Sequence, residues 1–208
     1  MLVQILAIIM SYLLGSISFS VLLAKMLKGI DIRQHGSGNA GATNTLRILG
    51  KGPAIIVLCL DVIKGIVAIS IGKWLGGDST WIPALCGIAA IIGHNWPLYF
   101  HFRGGKGIAT TIGVLVSICF LPALYAGILA ILIIIATRYV SLGSLVFVAF
   151  TPVFLLILGG YTASVFWTSL IICLFAFWRH RGNIVKIVQG RENKIGSKGS
   201  NKRGKQGV

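Results

Sequence analysis

Long apolar runs alternate with short polar segments along this chain. Apolar residues dominate 2–24, 53–72, 80–100, 141–160 and 162–178. Each run approaches the roughly 20 residues a helix needs to cross a bilayer core. The stretch 108–137 is also predominantly apolar. As one helix it would be about 45 Å long, too long for a single crossing. Pro122 predicts a split there into two short halves. Together these runs predict an all-α integral membrane protein with seven transmembrane helices. Residues 2–24 lack a basic leading segment and are longer than the apolar core of a signal peptide, so they read as a retained first span.

Charge sets the orientation. Of 19 Lys and Arg, 17 fall within 25–52, 101–107, at Arg138, and from Arg179 onward. Seven spans put all of them on one face, whereas six would strand the tail on the other. The positive-inside rule then predicts the N-terminus outside and the C-terminus in the cytoplasm. Hydrophobic residues make up 56% of the chain and charged residues 11%, with a mean hydropathy of +0.90. A soluble domain carries about 25% charge, so that class is excluded. The net charge of +15 lies beside apolar runs. It points to membrane lipids or an anionic substrate, with no nucleic acid expected. Residues 1–189 predict one membrane domain, and 190–208, rich in Gly, Lys, Ser and Asn, a basic disordered cytoplasmic tail. Cys59, Cys86, Cys119 and Cys173 each stand alone in apolar surroundings, which predicts neither disulfides nor zinc. The histidines have no second ligand at helical spacing, so no metal and no cofactor are expected.

Three polar segments carry candidate chemistry, and the charge pattern puts them on the same face. The first, H-G-S-G-N-A-G-A-T-N-T-L-R, runs from His35 to Arg47. Gly36, Gly38 and Gly41 permit tight backbone turns around an anion. Ser37, Asn39, Thr43 and Asn44 add polar side chains, and Arg47 adds a planar fork suited to phosphate. The second runs from Gly93 to Thr110 and contains Arg103, Gly104, Gly105, Lys106 and Gly107. It is not a nucleotide-binding Walker loop, because Gly107 follows the lysine and Phe100 stands where the first glycine belongs. Its entry into an apolar helix still suits an anion at a helix N-terminus. His94 and His101, near Trp96 and Tyr99, read first as interface residues. The third starts at Trp178, where Arg179, Arg181 and Lys186 could simply anchor the last span. If helical, His180 and Asn183 share a face there. Glu192, the only glutamate, reads as a local salt-bridge partner. Asp61 and Lys64, one turn apart within the second span, are open to a structural or a functional reading alike.

Taken together, the segments at 36–44, 93–110 and 180–184 resemble the acyl-phosphate-dependent glycerol-3-phosphate acyltransferase family of the bacterial inner membrane. Its members share a G-S-G-N-x-G-A-T-N loop, a G-H-x-x-P…F-[KR]-G-G-K-G-x-A-T segment and an H-R-x-N-I block, all present here in order. Ser18 and Ser20 stand where the family often has Pro and Gly, and Lys186 where Arg is common. The resemblance implies transfer of a fatty acyl group from acyl phosphate to the sn-1 hydroxyl of glycerol 3-phosphate, giving lysophosphatidic acid and inorganic phosphate. This is the first acylation step of phospholipid synthesis, here by a monomer with a cytoplasmic active site.

By matching positions the resemblance also implies a catalytic cluster of Ser37, Arg47, Lys106, His180 and Asn183. Gly36, Gly38, Asn39, Arg103, Gly104, Gly105 and Gly107 would bind substrate phosphate, Thr43 and Asn44 would shape the loop or contact phosphate, and Asn183 and the amides around Gly38 or Gly105 would be candidates to hold the oxyanion. Acyl phosphate is an activated donor, so direct transfer without an acyl-enzyme is expected. Two rival classes stay open on the residues alone. One is a phosphate or organic-anion transporter, favoured by Asp61 and Lys64; the other is a lipid-binding scaffold, favoured by the basic tail.

Overall fold

The computed structural model describes residues 1–196. Helices account for its regular structure: α1 (Leu2–Gly15), α2 (Phe19–Lys28), α3 (Ala42–Leu49), α4 (Lys51–Leu75), α5 (Trp81–Asn95), α6 (Ile108–Ile118), α7 (Phe120–Thr137), α8 (Val140–Leu158), α9 (Ala163–Arg179) and α10 (Arg181–Val188). No strand occurs among the described residues.

Four helical stretches are long and apolar enough to cross a membrane: Leu2–Lys28 (α1 with α2), α4, α7 and α8. The pair α9–α10, bent by 62°, makes a fifth. With 15 and 11 residues, α5 and α6 are shorter than a span. Large apolar side chains face outward along the bundle, among them Ile5 and Ile9 on α1, Ile131 and Ile135 on α7, and Leu156 on α8. Such a surface needs lipid around it. The protein is therefore an all-helical, multi-pass membrane protein.

Glycines bring the inner helices together. A methyl group on Gly15 of α1 would run into the Ala90 backbone of α5, and one on Gly93 of α5 into the Tyr12 carbonyl of α1. Likewise Gly65 of α4 lies against the Thr110 carbonyl of α6, and Gly113 of α6 against the Val62 carbonyl of α4. These small-residue crossings let backbones touch where lipid offers no hydrophobic drive for helix association. They place α4 between α1, α5 and α6. On the other side, Ala123, Ala126 and Ala130 of α7 join a core with Phe147 and Val148 of α8.

Three boundaries differ from expectation. The break in 108–137 falls at Cys119 (φ −150°, ψ 70°) rather than at Pro122. Pro122 is the third residue of α7, and a first-turn amide has no intrahelical acceptor to lose. Residues 2–24 do not form one continuous helix, because the chain breaks over Ser16–Ser18 and α2 starts at Phe19. Finally, the ordered chain continues past residue 189. The Ile195 amide donates to the Arg138 carbonyl at 2.8 Å, Lys194 lies 5.6 Å from the Tyr139 ring centre, and Glu192 hydrogen-bonds to two side chains. Residues 190–196 thus dock on the α7–α8 junction, and the rest of the expected tail lies outside the described residues.

Candidate active site

The first polar segment is shaped from within. Asp31 accepts the Arg33 amide at 3.0 Å and caps a short 3₁₀ turn over Ile32–Gln34. The chain then reverses through Gly36 (φ +61°) and Gly38 (φ +73°). Asn44, in the first turn of α3 and buried, ties this reversal together. Its Nδ2 donates to the Ile32 carbonyl at 3.1 Å and the His35 carbonyl at 3.0 Å, while its Oδ1 accepts the Ser37 amide at 2.9 Å. Both amide protons of Asn44 are engaged, so its part is to shape the loop rather than to donate to a ligand. Gly36 is needed twice over, for its positive φ and because a Cβ there would strike Asn44 Oδ1. Asn39 lies beside Gly41, where an added Cβ would come 3.1 Å from Asn39 Nδ2. Ser37 and Arg47 are exposed and Thr43 half-buried. None of these three side chains hydrogen-bonds to another described residue, which leaves them open to a ligand.

The second segment is packed against its own helix. From α5 the chain turns back so that the Gly105 amide donates to the His94 carbonyl at 3.1 Å. A Cβ on Gly104 would strike that same carbonyl and come 2.6 Å from Pro97 Cδ. One on Gly105 would collide with His94 Nε2 and lie 2.7 Å from the Ala40 carbonyl of the first segment. Gly107 (φ +82°) is the N-cap of α6, and a Cβ there would lie 2.9 Å from Asn95 Oδ1.

Arg33 stitches the two segments. Its Nη2 pairs with Asp31 at 2.7 Å, and its Nη1 donates to the carbonyls of Phe100 at 2.8 Å and Arg103 at 3.1 Å. Its hydrogen bonds hold the Asp31 carboxyl below the usual carboxylate range. Between the segments lies a cleft of about 200 Å³, walled by Asp31, Arg33, Gln34, Gly38, Arg103 and Gly104. Gly38, Arg103 and Gly104 thus meet in one wall, while Lys106 lies outside it.

Lys106 turns instead toward the third segment. His180 sits at the bend between α9 and α10 as the N-cap of α10, and its carbonyl accepts the Asn183 amide at 2.8 Å, so the two residues share the first turn as their spacing predicts. His180 Nδ1 lies 2.8 Å from the Ala176 carbonyl. A carbonyl only accepts, so Nδ1 carries the proton and Nε2 is the open nitrogen. One turn on, Asn183 accepts the Lys106 ammonium on Oδ1 and donates from Nδ2 to Glu192 Oε1 at 2.8 Å. Ser141 donates to the same oxygen at 3.1 Å. Glu192 is therefore a hydrogen-bond acceptor for neutral side chains, not the salt-bridge partner expected, because Asn183 stands between it and the lysine. Arg179 completes the group. Its Nη2 donates to the Gly105 carbonyl at 2.6 Å, and its guanidinium lies 5.0 Å from the Trp96 ring centre.

Lys106 registers the charges around it. Burial, with Lys186, Arg179 and Arg47 adding to it, pushes its ammonium down to about 8, while Glu192 alone pulls the other way. Arg47 from the first segment and Arg179 and Lys186 from the third thus each act on Lys106 of the second. Four cations against one carboxylate leave a strong excess of positive charge, the condition for capturing an anion.

Two expectations about donors change. The amides of Gly38 and Gly105 already bond to the carbonyls of His35 and His94, so neither is open to an oxyanion. Lys106 keeps two ammonium protons beyond Asn183, and Asn183, an oxyanion candidate already from the sequence, keeps its second Nδ2 proton. Sequence reading passed over Arg33, Ser141 and Arg179 as site builders. A D-x-R spacing at 31–33 and a lone acidic residue in a basic chain were the signals available for two of these links.

Comparison with known proteins agrees over nearly the whole chain. The family model for glycerol-3-phosphate acyltransferase matches residues 5–190. The glycerol-3-phosphate acyltransferase of Halalkalibacterium halodurans is 55% identical over 197 residues, covering 93% of this chain and 96% of its own. Crystal structures of PlsY, an integral membrane glycerol 3-phosphate acyltransferase, are similar at 39% identity in two forms. The glycerol 3-phosphate form has a TM-score of 0.86, covering 93% of this chain and 96% of its own. The lysophosphatidic acid form has a TM-score of 0.84, covering 93% and 95%.

Proposed function

The chain belongs to the glycerol-3-phosphate acyltransferase family, and we propose from that premise that it acylates glycerol 3-phosphate at the sn-1 hydroxyl with acyl phosphate as donor. The hydroxyl oxygen attacks the acyl carbonyl carbon, the bond from that carbon to the phosphate oxygen breaks, and the hydroxyl proton leaves on a phosphate. Lysophosphatidic acid and inorganic phosphate result. Family membership does not favour the anion-transporter alternative.

The observation that carries this reading is the bond from Lys106 to Asn183, with Glu192 behind it. It fixes one ammonium where the charge of Arg47 also acts, a setting suited to a phosphate leaving group. Asn183 offers its remaining N–H to the developing oxyanion. Ser37 and Thr43 hold substrate phosphate at the mouth of the first loop, and Arg103 does so from the neighbouring cleft. His180, with Nε2 open, orients the acceptor. Substrate phosphate takes the proton.

Direct transfer needs no enzyme nucleophile. Cys86 and Cys119 are buried, Cys173 is half-buried within α9, and Cys59 lies exposed within α4, so none falls in a polar segment. Seven spans with a cytoplasmic site are the layout that puts 17 of the 19 basic residues on one face, and the inner membrane is the location the family resemblance implies.

Purified protein assayed with acyl phosphate, acyl-CoA and acyl carrier protein tests the donor, and turnover with acyl phosphate alone is expected. Lys106→Gln is expected to lose at least about tenfold in kcat/KM, or about 1.4 kcal/mol. Rapid-quench labelling should find no acyl-protein that forms and decays at the turnover rate; finding one would overturn direct transfer.

A further inference from the structure

Below the catalytic loops lies a polar group that the reaction does not use. Lys64 and Asp61 of α4 pair at 2.7 Å, both almost fully buried, and Lys64 is among the largest fully buried side chains of the molecule. Its ammonium also donates to the carbonyls of Gly15 at 3.1 Å and Ile17 at 3.0 Å. Those carbonyls are left without helical partners by the break between α1 and α2. A further contact at 3.0 Å reaches His94 Nδ1. An ammonium only donates, so Nδ1 accepts and the His94 proton sits on Nε2. Asp61 Oδ1 lies 3.6 Å from the same Nδ1.

His94 joins this group to the site. Its Nε2 faces Gly105 so closely that no Cβ fits between them, and its carbonyl accepts the Gly105 amide. The next residue is Lys106, and the Gly105 carbonyl accepts Arg179. A buried pair kept only for packing could be replaced by apolar residues at little cost. This pair instead ends on the backbone that carries the catalytic lysine.

We propose that Asp61, Lys64 and His94 form a positioning network: Asp61 holds Lys64, Lys64 fixes the rotation and tautomer of His94, and His94 sets the Gly104–Lys106 backbone so that Lys106 meets Asn183. The inference rests on the reading of Lys106 as a phosphate-binding residue. Misplacement by about 1 Å is enough to cost about a hundredfold in rate.

The test is the double variant Asp61→Asn with Lys64→Met, which removes both charges and so leaves no unpaired ion. Its kcat is expected to fall at least about tenfold, with faster amide exchange across residues 101–107 and an unchanged rate within α7 and α8. Wild-type kcat, or unchanged exchange in that segment, overturns the proposal. Should the double variant not fold, His94→Asn decides on the same two readouts. It keeps an amide where Nδ1 stood but removes the ring from Gly105. Lys106→Gln measured alongside separates the two readings. If it stays active, the functional assignment fails; if it is inactive while the double variant matches wild type, only the network fails.

Discussion

Asn183 accepts the ammonium of Lys106 across 77 positions of sequence. With Oδ1 on a cation and Nδ2 on the Glu192 carboxylate, its amide has one orientation that satisfies both neighbours. Asn183→Asp would keep the acceptor for Lys106 but set a second carboxylate against Glu192. A loss of at least about tenfold in kcat/KM is expected from like-charge repulsion and the lost oxyanion donor. Steady-state assays with acyl phosphate check this, and activity within twofold of wild type would remove Asn183 from the cluster.

Activity should fall on the alkaline side. Burial lowers the Lys106 ammonium to about 8, so the free enzyme loses this charge as pH rises through that value. The profile of kcat/KM, which reports groups of the free enzyme, is expected to decline above about 8. In Lys106→Arg that limb should vanish, because a guanidinium stays charged throughout. A limb that persists in the arginine variant would assign it to another group.

Glu192 pulls the Lys106 ammonium upward. Glu192→Gln keeps an oxygen for Asn183 and Ser141 but removes that pull. The alkaline limb should therefore move to lower pH, and an upward shift would contradict the arrangement. The same pH series on this variant reads the sign directly.

Gly36 and Asn44 act as one unit, since a Cβ at Gly36 would meet Asn44 Oδ1. Asn44→Ala removes three hydrogen bonds and should destabilise the loop by about 1–3 kcal/mol. Gly36→Ala is expected to produce much of the same loss. In a double-mutant cycle the two effects should fall well short of additive, whereas simple additivity would mean they act separately.

Arg33→Lys tests the stitch between the first two segments. A lysine cannot grip Asp31 through two nitrogens while reaching the Phe100 and Arg103 carbonyls. Faster amide exchange in both 30–41 and 98–104, at an unchanged rate within α7 and α8, is the expected outcome.

The sequence revealed the membrane class and the three polar segments, because bilayer thickness and charge asymmetry act on long stretches of chain. It misplaced details governed by single atoms. Pro122 looked like the breaker of its helix, yet its missing N–H is harmless in a first turn, and the break moved to Cys119. Gly38 and Gly105 looked like anion-holding amides, but nothing in the residue types says that two carbonyls already occupy them. His94 read as an interface residue, since its link to Lys64 depends on how closely α1, α4 and α5 pack. Glu192 was conspicuous for its rarity, while the insertion of Asn183 between it and Lys106 was not legible in one dimension.

The close fit of Gly104 and Gly105 against His94 restricts how this enzyme can diversify. In a saturation library at these two codons, glycine alone should survive selection for growth, since even alanine has nowhere to put its methyl group. Changes in substrate preference must then arise elsewhere than at these two positions.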